Sequence, residues 1–278
     1  MKKILHLTAG NLYGGIETFL VTLAHLRDLC PEMEPHYGLC FPGRLRDELL
    51  AAGVPVYELG MVRLSRPWTV WRARWQLKQL LRQESFAAVV THGSWPHVVF
   101  GPVVQRAGLR LVYMAHDAVS RRHWLNRWAA RTLPHTVIAN SRFTSLSINA
   151  VFPGARTETI YLPVPPPVLD DNEAVRDSIR KALGTRRDQV VILQVGRLER
   201  LKGHIVHIEA LGRLRELPVW EAWFVGGPQK KGEAEFLAEL QQRAEDLGIV
   251  GRVKFLGQRR DVRQLMAAAD IYCQPNTG

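Results

Sequence analysis

The segment Leu193–His204, LQVGRLERLKGH, sets an apolar run, a glycine and two cations, Arg197 and Lys202, directly before a helical pattern. An apolar run of this length ending in glycine is how a strand buried on both faces of a parallel sheet leaves that sheet. The cations then stand at the strand's carboxyl end, where open α/β sheets take their ligands, and an anion is the natural ligand. The pair reads either as a clamp on a diphosphate or as two solvated cations beside Glu199.

Outward from this segment the same alternation fills the chain. Toward the N-terminus, KILHLT, PHYGLCF, VPVYEL, AAVVTHG, LRLVYMAHD and HTVIANS read as strands, and each is followed by an amphipathic helical pattern, beginning with ETFLVTLAHLRDL. Strands that alternate with helices in this way form βαβ units and a parallel sheet. YLPVPPPVLDD interrupts the pattern, and its prolines predict a stiff connector over Pro163 to Asp171. The alternation then restarts with EAVRDSIRKALG and runs through QVVILQVG, WEAWFVGG and RVKFLG to DIYCQP. The expected fold is α/β with two Rossmann-like domains of parallel sheet, residues 1–163 and 164–278. The second would be incomplete, because a doubly wound domain adds another helix after such a strand.

The whole chain of 278 residues carries 37 Lys+Arg against 26 Asp+Glu, a net charge of +11, which favours anionic partners. Cys30, Cys40 and Cys273 form no CxxC pair and fit a reducing compartment as ordinary thiols. No window approaches the roughly 20 apolar residues of a spanning helix, and the N-terminal apolar run is too short for an export signal. The expected location is cytoplasmic, with peripheral contact at the inner face of the membrane.

Four further stretches carry candidate chemistry. In AGNLYGGIETFL, Gly14 and Gly15 sit between a strand and a helix that starts near Glu17, so their backbone N–H groups could approach a phosphate; a plain tight turn explains them as well. The spacing is not GxGxxG and Glu17 would repel a close phosphate, which weakens a nicotinamide-dependent oxidoreductase. In LVYMAHD, His116 follows an apolar strand and can hydrogen-bond a sugar hydroxyl or move a proton, with Asp117 placed to orient it. His92 in VVTHGSW holds the matching edge of the preceding strand. Finally, a helix from about Thr69 would gather Trp71, Trp75 and Leu80 on one side and Arg72, Lys78 and Arg82 elsewhere, which suits anionic lipid, although aromatics packed on the sheet are the simpler reading. Nucleic acid is disfavoured because no recognisable module for it is present.

Taken in order, GGIETF, AHD, VIANSRFT, VGRLERLKGH, FVGG, RVKFLGQRRDV and AADIYCQPN resemble the nucleotide-sugar-dependent glycosyltransferases of family 4, which have the GT-B architecture. The resemblance covers nearly the whole chain. It implies a retaining transfer of a sugar from a UDP- or GDP-linked donor to a glycan, lipid-linked or small-molecule acceptor, as in polysaccharide or lipopolysaccharide biosynthesis. It implies that Arg197 and Lys202 bind the donor diphosphate and stabilise the leaving nucleotide, a form of electrostatic stabilisation that needs no metal or other cofactor in that role. It further implies that Gly14 and Gly15 approach the donor, that His116 contacts the transferred sugar, and that Gly257, Gln258 and Arg259 border the base; the glycine turn of FVGGPQKKGE, with Gly226, by itself permits a close backbone approach to the donor. Glu17, His92 and Asp117 fall on the acceptor side. The sequence departs from the family at LPVPPP and in ending before a helix that carries two donor-binding glutamates. The alternative expectation is therefore a catalytically inactive fragment or partner-binding module, with a second copy covering the unfinished second domain.

Overall fold

The computed structural model describes residues 1–164 and 172–277. Most of the proline-rich connector, Pro165 to Asp171, therefore lies outside the described residues. Contacts divide the chain into two compact units, Met1–Pro165 and Pro166–Gly278.

In the first unit the strands are β1 Lys2–Thr8, β2 Met33–Leu39, β3 Val56–Glu58, β4 Phe86–His92, β5 Arg110–Ala115, β6 Thr136–Ala139 and β7 Thr157–Thr159. They form one sheet in the order β3-β2-β1-β4-β5-β6-β7, with every pairing parallel. The sequence pattern did not reveal β7, because TET offers no apolar run and the strand sits at an edge. Helices α1 Gly15–His25, α2 Arg44–Ala51, α3 Pro67–Gln83, α4 Ser94–Arg106, α5 Trp124–Ala129 and α6 Arg142–Ile148 connect them.

Side chains of a strand alternate between faces, and β1 shows the consequence. Leu5 and Leu7 pack with Leu77, Leu80, Phe100 and Val104 of α3 and α4. The opposite face meets Phe19 and Leu20 of α1, together with Tyr37, Val90, Val112 and Met114. Pro102 lies inside α4 and has no N–H to offer the carbonyl of Val98. Arg74 donates to that carbonyl at 3.0 Å and to Val99 at 2.7 Å, which ties α3 to α4. The simpler reading of α3, aromatics packed on the sheet, is overturned: Ala73, Leu77 and Leu80 are buried while Trp71 and Trp75 are exposed. Leu80 lies about 180° around the helix from Trp71, so the two cannot share a face.

The second unit contains α7 Asn172–Ala182, β8 Val190–Val195, α8 His204–Gly212, β9 Trp220–Val225, α9 Glu233–Asp246, β10 Val253–Phe255, α10 Val262–Ala268 and β11 Ile271–Tyr272. Its parallel sheet has the order β10-β9-β8-β11. In both sheets the order reverses direction after the first strand, between β1 and β4 and between β8 and β11. Crevices at such reversals, at the carboxyl ends of the strands, are where open α/β sheets bind ligands.

One buried cation organises the base of the second unit. Arg180 is 2% exposed and donates to the carbonyls of Ala268 at 3.0 Å and Gln189 at 2.8 Å, and to Asp270 at 2.7 Å. Asp270 in turn accepts from the backbone of Val191 at 2.7 Å and pairs with Arg176 at 2.6 Å. Arg180→Met should destabilise the protein by about 3 kcal/mol, the low end for breaking a buried pair, since Asp270 keeps Arg176 and some solvent. Urea titration of the two proteins measures this, and a loss below about 1 kcal/mol would contradict the role given to Arg180.

Candidate functional site

At the carboxyl edge of the second sheet, three loops meet. The loop after β8 begins at Gly196, and Gly226 after β9 lies so close that a Cβ there would stand 1.8 Å from the Gly196 carbonyl oxygen, at a φ of +144°. Gly226 donates its N–H to the carbonyl of Gly257, after β10, at 2.9 Å. The structure thus brings Arg197, Lys202, Gly226, Gly257 and Gln258 to one edge, with Gly227 packed on Gln258. Arg259, next along, is held by two hydrogen bonds to Asp261 at 2.8 and 2.6 Å.

The turn that presents the cations is built from beneath. Gln194, a polar residue buried in β8, donates to the carbonyl of Lys202 at 2.8 Å and accepts from Nδ1 of His207 on α8 at 2.8 Å. Gly203 then turns the chain with φ +71°, and a Cβ there would strike the Pro275 carbonyl oxygen at 1.6 Å. No side chain fits between the start of α8 and the segment after β11. Arg197 pairs with Glu199 at 3.1 Å, and Lys230 reaches the same carboxylate at 2.9 Å. Burial pushes the Glu199 carboxyl up, but the hydrogen bond from Lys230 and the Arg197 charge outweigh it and leave the group below the usual range. Glu199 therefore stays ionised and gathers two cations around it, with Lys202 close enough to add to the field.

The first sheet presents a different chemistry at its own edge. His92, the last residue of β4, and His116, just past β5, stack with ring centroids 5.2 Å apart and share a hydrogen bond of 3.0 Å between Nδ1 of His92 and Nε2 of His116. Asp117 was expected to orient His116; no bond between them occurs among the described residues, and the hydrogen-bond partner of the ring is His92. Neighbouring residues of an extended chain point apart, whereas residues on adjacent parallel strands share a face. Burial pushes His116 down to about 4 and, with two neighbouring histidines, holds His92 well below the ordinary value.

Asn140 fixes the backbone of His116, donating to its carbonyl at 2.7 Å while accepting from Thr144 at 2.8 Å. Ser141 caps α6 by accepting from the Thr144 N–H at 3.1 Å. The VIANSRFT motif is thus a cap and a brace for His116. The Gly14–Gly15 turn is less open to an anion than the sequence suggests, because the Gly14 N–H is already bonded to the Glu17 carboxylate at 2.9 Å. Glu17 is itself buried. An added Cβ at Gly15 would meet open space.

Buried neutral imidazoles make the fold acid-labile. His6, His97 and His116 each titrate near 4 instead of 6.5 because burial penalises their charged form. Between those values the unfolded chain binds protons that the folded chain refuses, so stability falls as the pH drops through this window and is unaffected above about 7. Thermal melts at half-unit steps from pH 8 to 4 should show a plateau and then a steep decline starting near 6.5. An unchanged melting temperature between pH 7 and 5 would refute the neutral buried rings.

Residues 11–165, over half of the chain, match the family described as "Glycosyl transferase 4-like domain", and residues 175–277 match "Glycosyl transferases group 1". LpsE of Rhizobium meliloti, a lipopolysaccharide core biosynthesis glycosyltransferase, is 34% identical over 93 residues, which are 34% of this chain and 25% of LpsE. WaaG of Escherichia coli, a lipopolysaccharide glucosyltransferase, is 39% identical over 101 residues, 36% of this chain and 25% of WaaG. The matched stretches thus take in about a quarter of the length of these two relatives. The crystal structure of Anabaena HepE in complex with UDP and glucose superposes with a TM-score of 0.83 at 26% identity, over 100% of this chain and 75% of HepE. Sequence motifs, sheet topology and both family matches agree that the chain belongs to the family 4-like glycosyltransferases of GT-B fold.

Proposed function

We propose that the protein transfers a hexose from a UDP-linked donor to a glycan or lipid-linked acceptor with retention of anomeric configuration. The observation that carries this reading is the pair Arg197 and Lys202 on a braced turn at the reversal of the second sheet, beside the converging loops of Gly226 and Gly257. Two cations held there can compensate charge that grows on the leaving diphosphate, and the reading assigns this work to them and not to a metal ion or other cofactor. Arg197 can offer two parallel donors and Lys202 a point charge. A diphosphate entering would also draw Arg197 away from Glu199, which keeps Lys230 as its partner. His116, neutral at working pH, can exchange one hydrogen bond with a sugar hydroxyl. UDP is favoured over GDP by the UDP complexes of the 26%-identical HepE.

Calorimetric titration with UDP and GDP tests the reading. UDP should bind saturably, and the double variant Arg197→Ala/Lys202→Ala should lose about 3 kcal/mol or more, since charge-assisted hydrogen bonds contribute about 1.5–3 kcal/mol each. Unchanged affinity in the double variant would sink the assignment of these cations. A folded protein that binds neither nucleotide would favour the catalytically silent, partner-binding alternative.

The first unit carries a surface suited to a lipid-linked acceptor at a membrane. No helix among the described residues is long and apolar enough to cross a membrane. Trp68, Trp71 and Trp75 of α3 and Trp124 and Trp128 of α5 are all exposed, interspersed with Arg72, Lys78, Arg127 and Arg131. Trp71 and Trp128 line a common cavity of about 430 Å³ with Leu64, Val70, Val98 and Pro102. Indole rings favour the headgroup level, and the cations favour anionic lipid. The protein should sediment with vesicles containing phosphatidylglycerol and release as salt rises, and Trp71→Ser/Trp75→Ser should weaken this at least tenfold. Recovery no greater with anionic vesicles than without vesicles would remove the membrane role.

A further inference from the structure

The hydrogen-bonded pair of His92 and His116 continues one ring deeper, to a residue with no place in the reading above. His6 of β1 stacks on His92 with centroids 5.2 Å apart, and its Nδ1 lies 3.0 Å from Nε2 of His92. Three imidazoles, two on β1 and β4 and one just past β5, therefore form one row across the reversal of the first sheet. Strand register makes the row. His6 stands level with Val90, and His92 level with Met114, so each histidine sits two residues further along its strand than the one before it. A two-residue step keeps all three side chains on the same face.

Apolar and aromatic groups enclose the row. Tyr37 stacks on His6 at 5.5 Å, and Phe19 of α1 lies 6.0 Å from His92 and 5.8 Å from His116. The nitrogens point at one another along the row and not at a common centre, and no group of side chains suited to a metal ion occurs among the described residues.

A neutral imidazole has one N–H and one acceptor nitrogen. The two hydrogen bonds of the row must then run in the same direction. If His6 donates to His92, His92 must donate to His116, which accepts at Nε2 and carries its proton on Nδ1. If the direction reverses, His116 donates through Nε2 and its Nδ1 becomes an acceptor. Either way Nε2 is committed to the protein, and the tautomer of His116 depends on a ring it does not touch.

We propose that His6 and His92 are positioning residues for His116: the row fixes the orientation of its ring, presents Nδ1 as its available nitrogen, and couples whether that nitrogen donates or accepts to the tautomer of His6. The orientation and the coupling follow from the row itself; their consequence for sugar transfer rests on the function proposed above. A row that must be uniform in direction cannot be left half-satisfied, because an unpaired nitrogen buried among Phe19 and Tyr37 would bear the full cost of its lost solvation.

Long-range ¹H–¹⁵N correlation spectra of the chain labelled at histidine read the tautomer directly. In the wild type the His6, His92 and His116 rings should show the same tautomer near pH 7, as a row of uniform direction requires. His92→Leu should break the match between His6 and His116, and His6→Phe should shift the His116 nitrogens although His6 does not contact His116. His92→Gln, whose amide can donate and accept, should restore the match. His116 nitrogen signals identical to wild type in folded His6→Phe or in folded His92→Leu would overturn the proposal.

Turnover of UDP-glucose supplies the second readout. His92→Leu should lower kcat about tenfold, the effect of one lost orienting hydrogen bond, with KM changed less than about twofold, and His92→Gln should recover most of the loss. Equal kcat in wild type and a folded His92→Leu would overturn the positioning role. If the wild type does not turn over UDP-glucose while the spectra behave as expected, the donor assignment fails and the histidine row stands.

Discussion

Parallel pairing is the constraint on which the rest of this structure depends. It aligns the carboxyl ends of all strands of a sheet along one edge, and it gives side chains on neighbouring strands the same two-residue period on each face. In the second unit this aligns the loops that begin at Gly196, Gly226 and Gly257, residues far apart in the chain whose backbones then lie in direct contact. In the first unit it sets His6, His92 and His116 on one face, in hydrogen-bonding sequence. An antiparallel arrangement would send alternate ends to opposite edges and dissolve both groupings.

The polar residues buried in the second unit serve this edge from below. Gln194 interrupts an apolar strand to hold the turn that carries Lys202. Glu221 on β9 accepts from Thr185 at 2.5 Å and pairs with Lys254 of β10 at 2.7 Å, so a central strand is tied to its neighbour by side chains as well as backbone. Arg180 and Asp270 close the opposite end, joining α7, the start of β8 and the segment before β11. These groups are costly to bury and would be a liability unpaired. Each is paired, and each pair links elements whose spacing decides where a loop at the carboxyl edge falls.

Much of this was legible in the sequence, for identifiable reasons. Apolar runs followed by amphipathic runs announce the βαβ units, and a glycine or histidine at the end of such a run marks the carboxyl edge, which is how Arg197, Lys202, Gly226, His92 and His116 could be named. Three things were hidden. The strand β7 is short, polar and at an edge, so it has no periodic signal. His6 lies inside a strand rather than at its end, and only the pairing register reveals that it meets His92; the clue would have been histidine on the same alternation as Ile4 and Thr8. The Glu17 carboxylate takes up the Gly14 N–H, a contact between residues near in sequence whose direction depends on the local turn. Periodicity also misled at α3, where Leu80 and the tryptophans are apolar but fall on different faces.

The two carboxyl edges meet opposite electrostatic demands with the same topology. In the second unit the charges must survive, and they do so by remaining partly exposed: the Arg197 side chain is 30% accessible, and the half-buried acid near it, Glu199, is kept ionised by the cations it gathers. In the first unit charge is refused. Desolvation keeps the three stacked rings neutral, and the nitrogens that face along the row bond one another instead of water. Exchanging these strategies would fail on both sides, since a buried, unpaired Arg197 would bear the desolvation cost of its charge, and an exposed histidine row would titrate near 6.5 and lose its single direction. The depth of each group below the sheet edge is therefore as much a part of the site as its chemical identity, and strand register sets that depth.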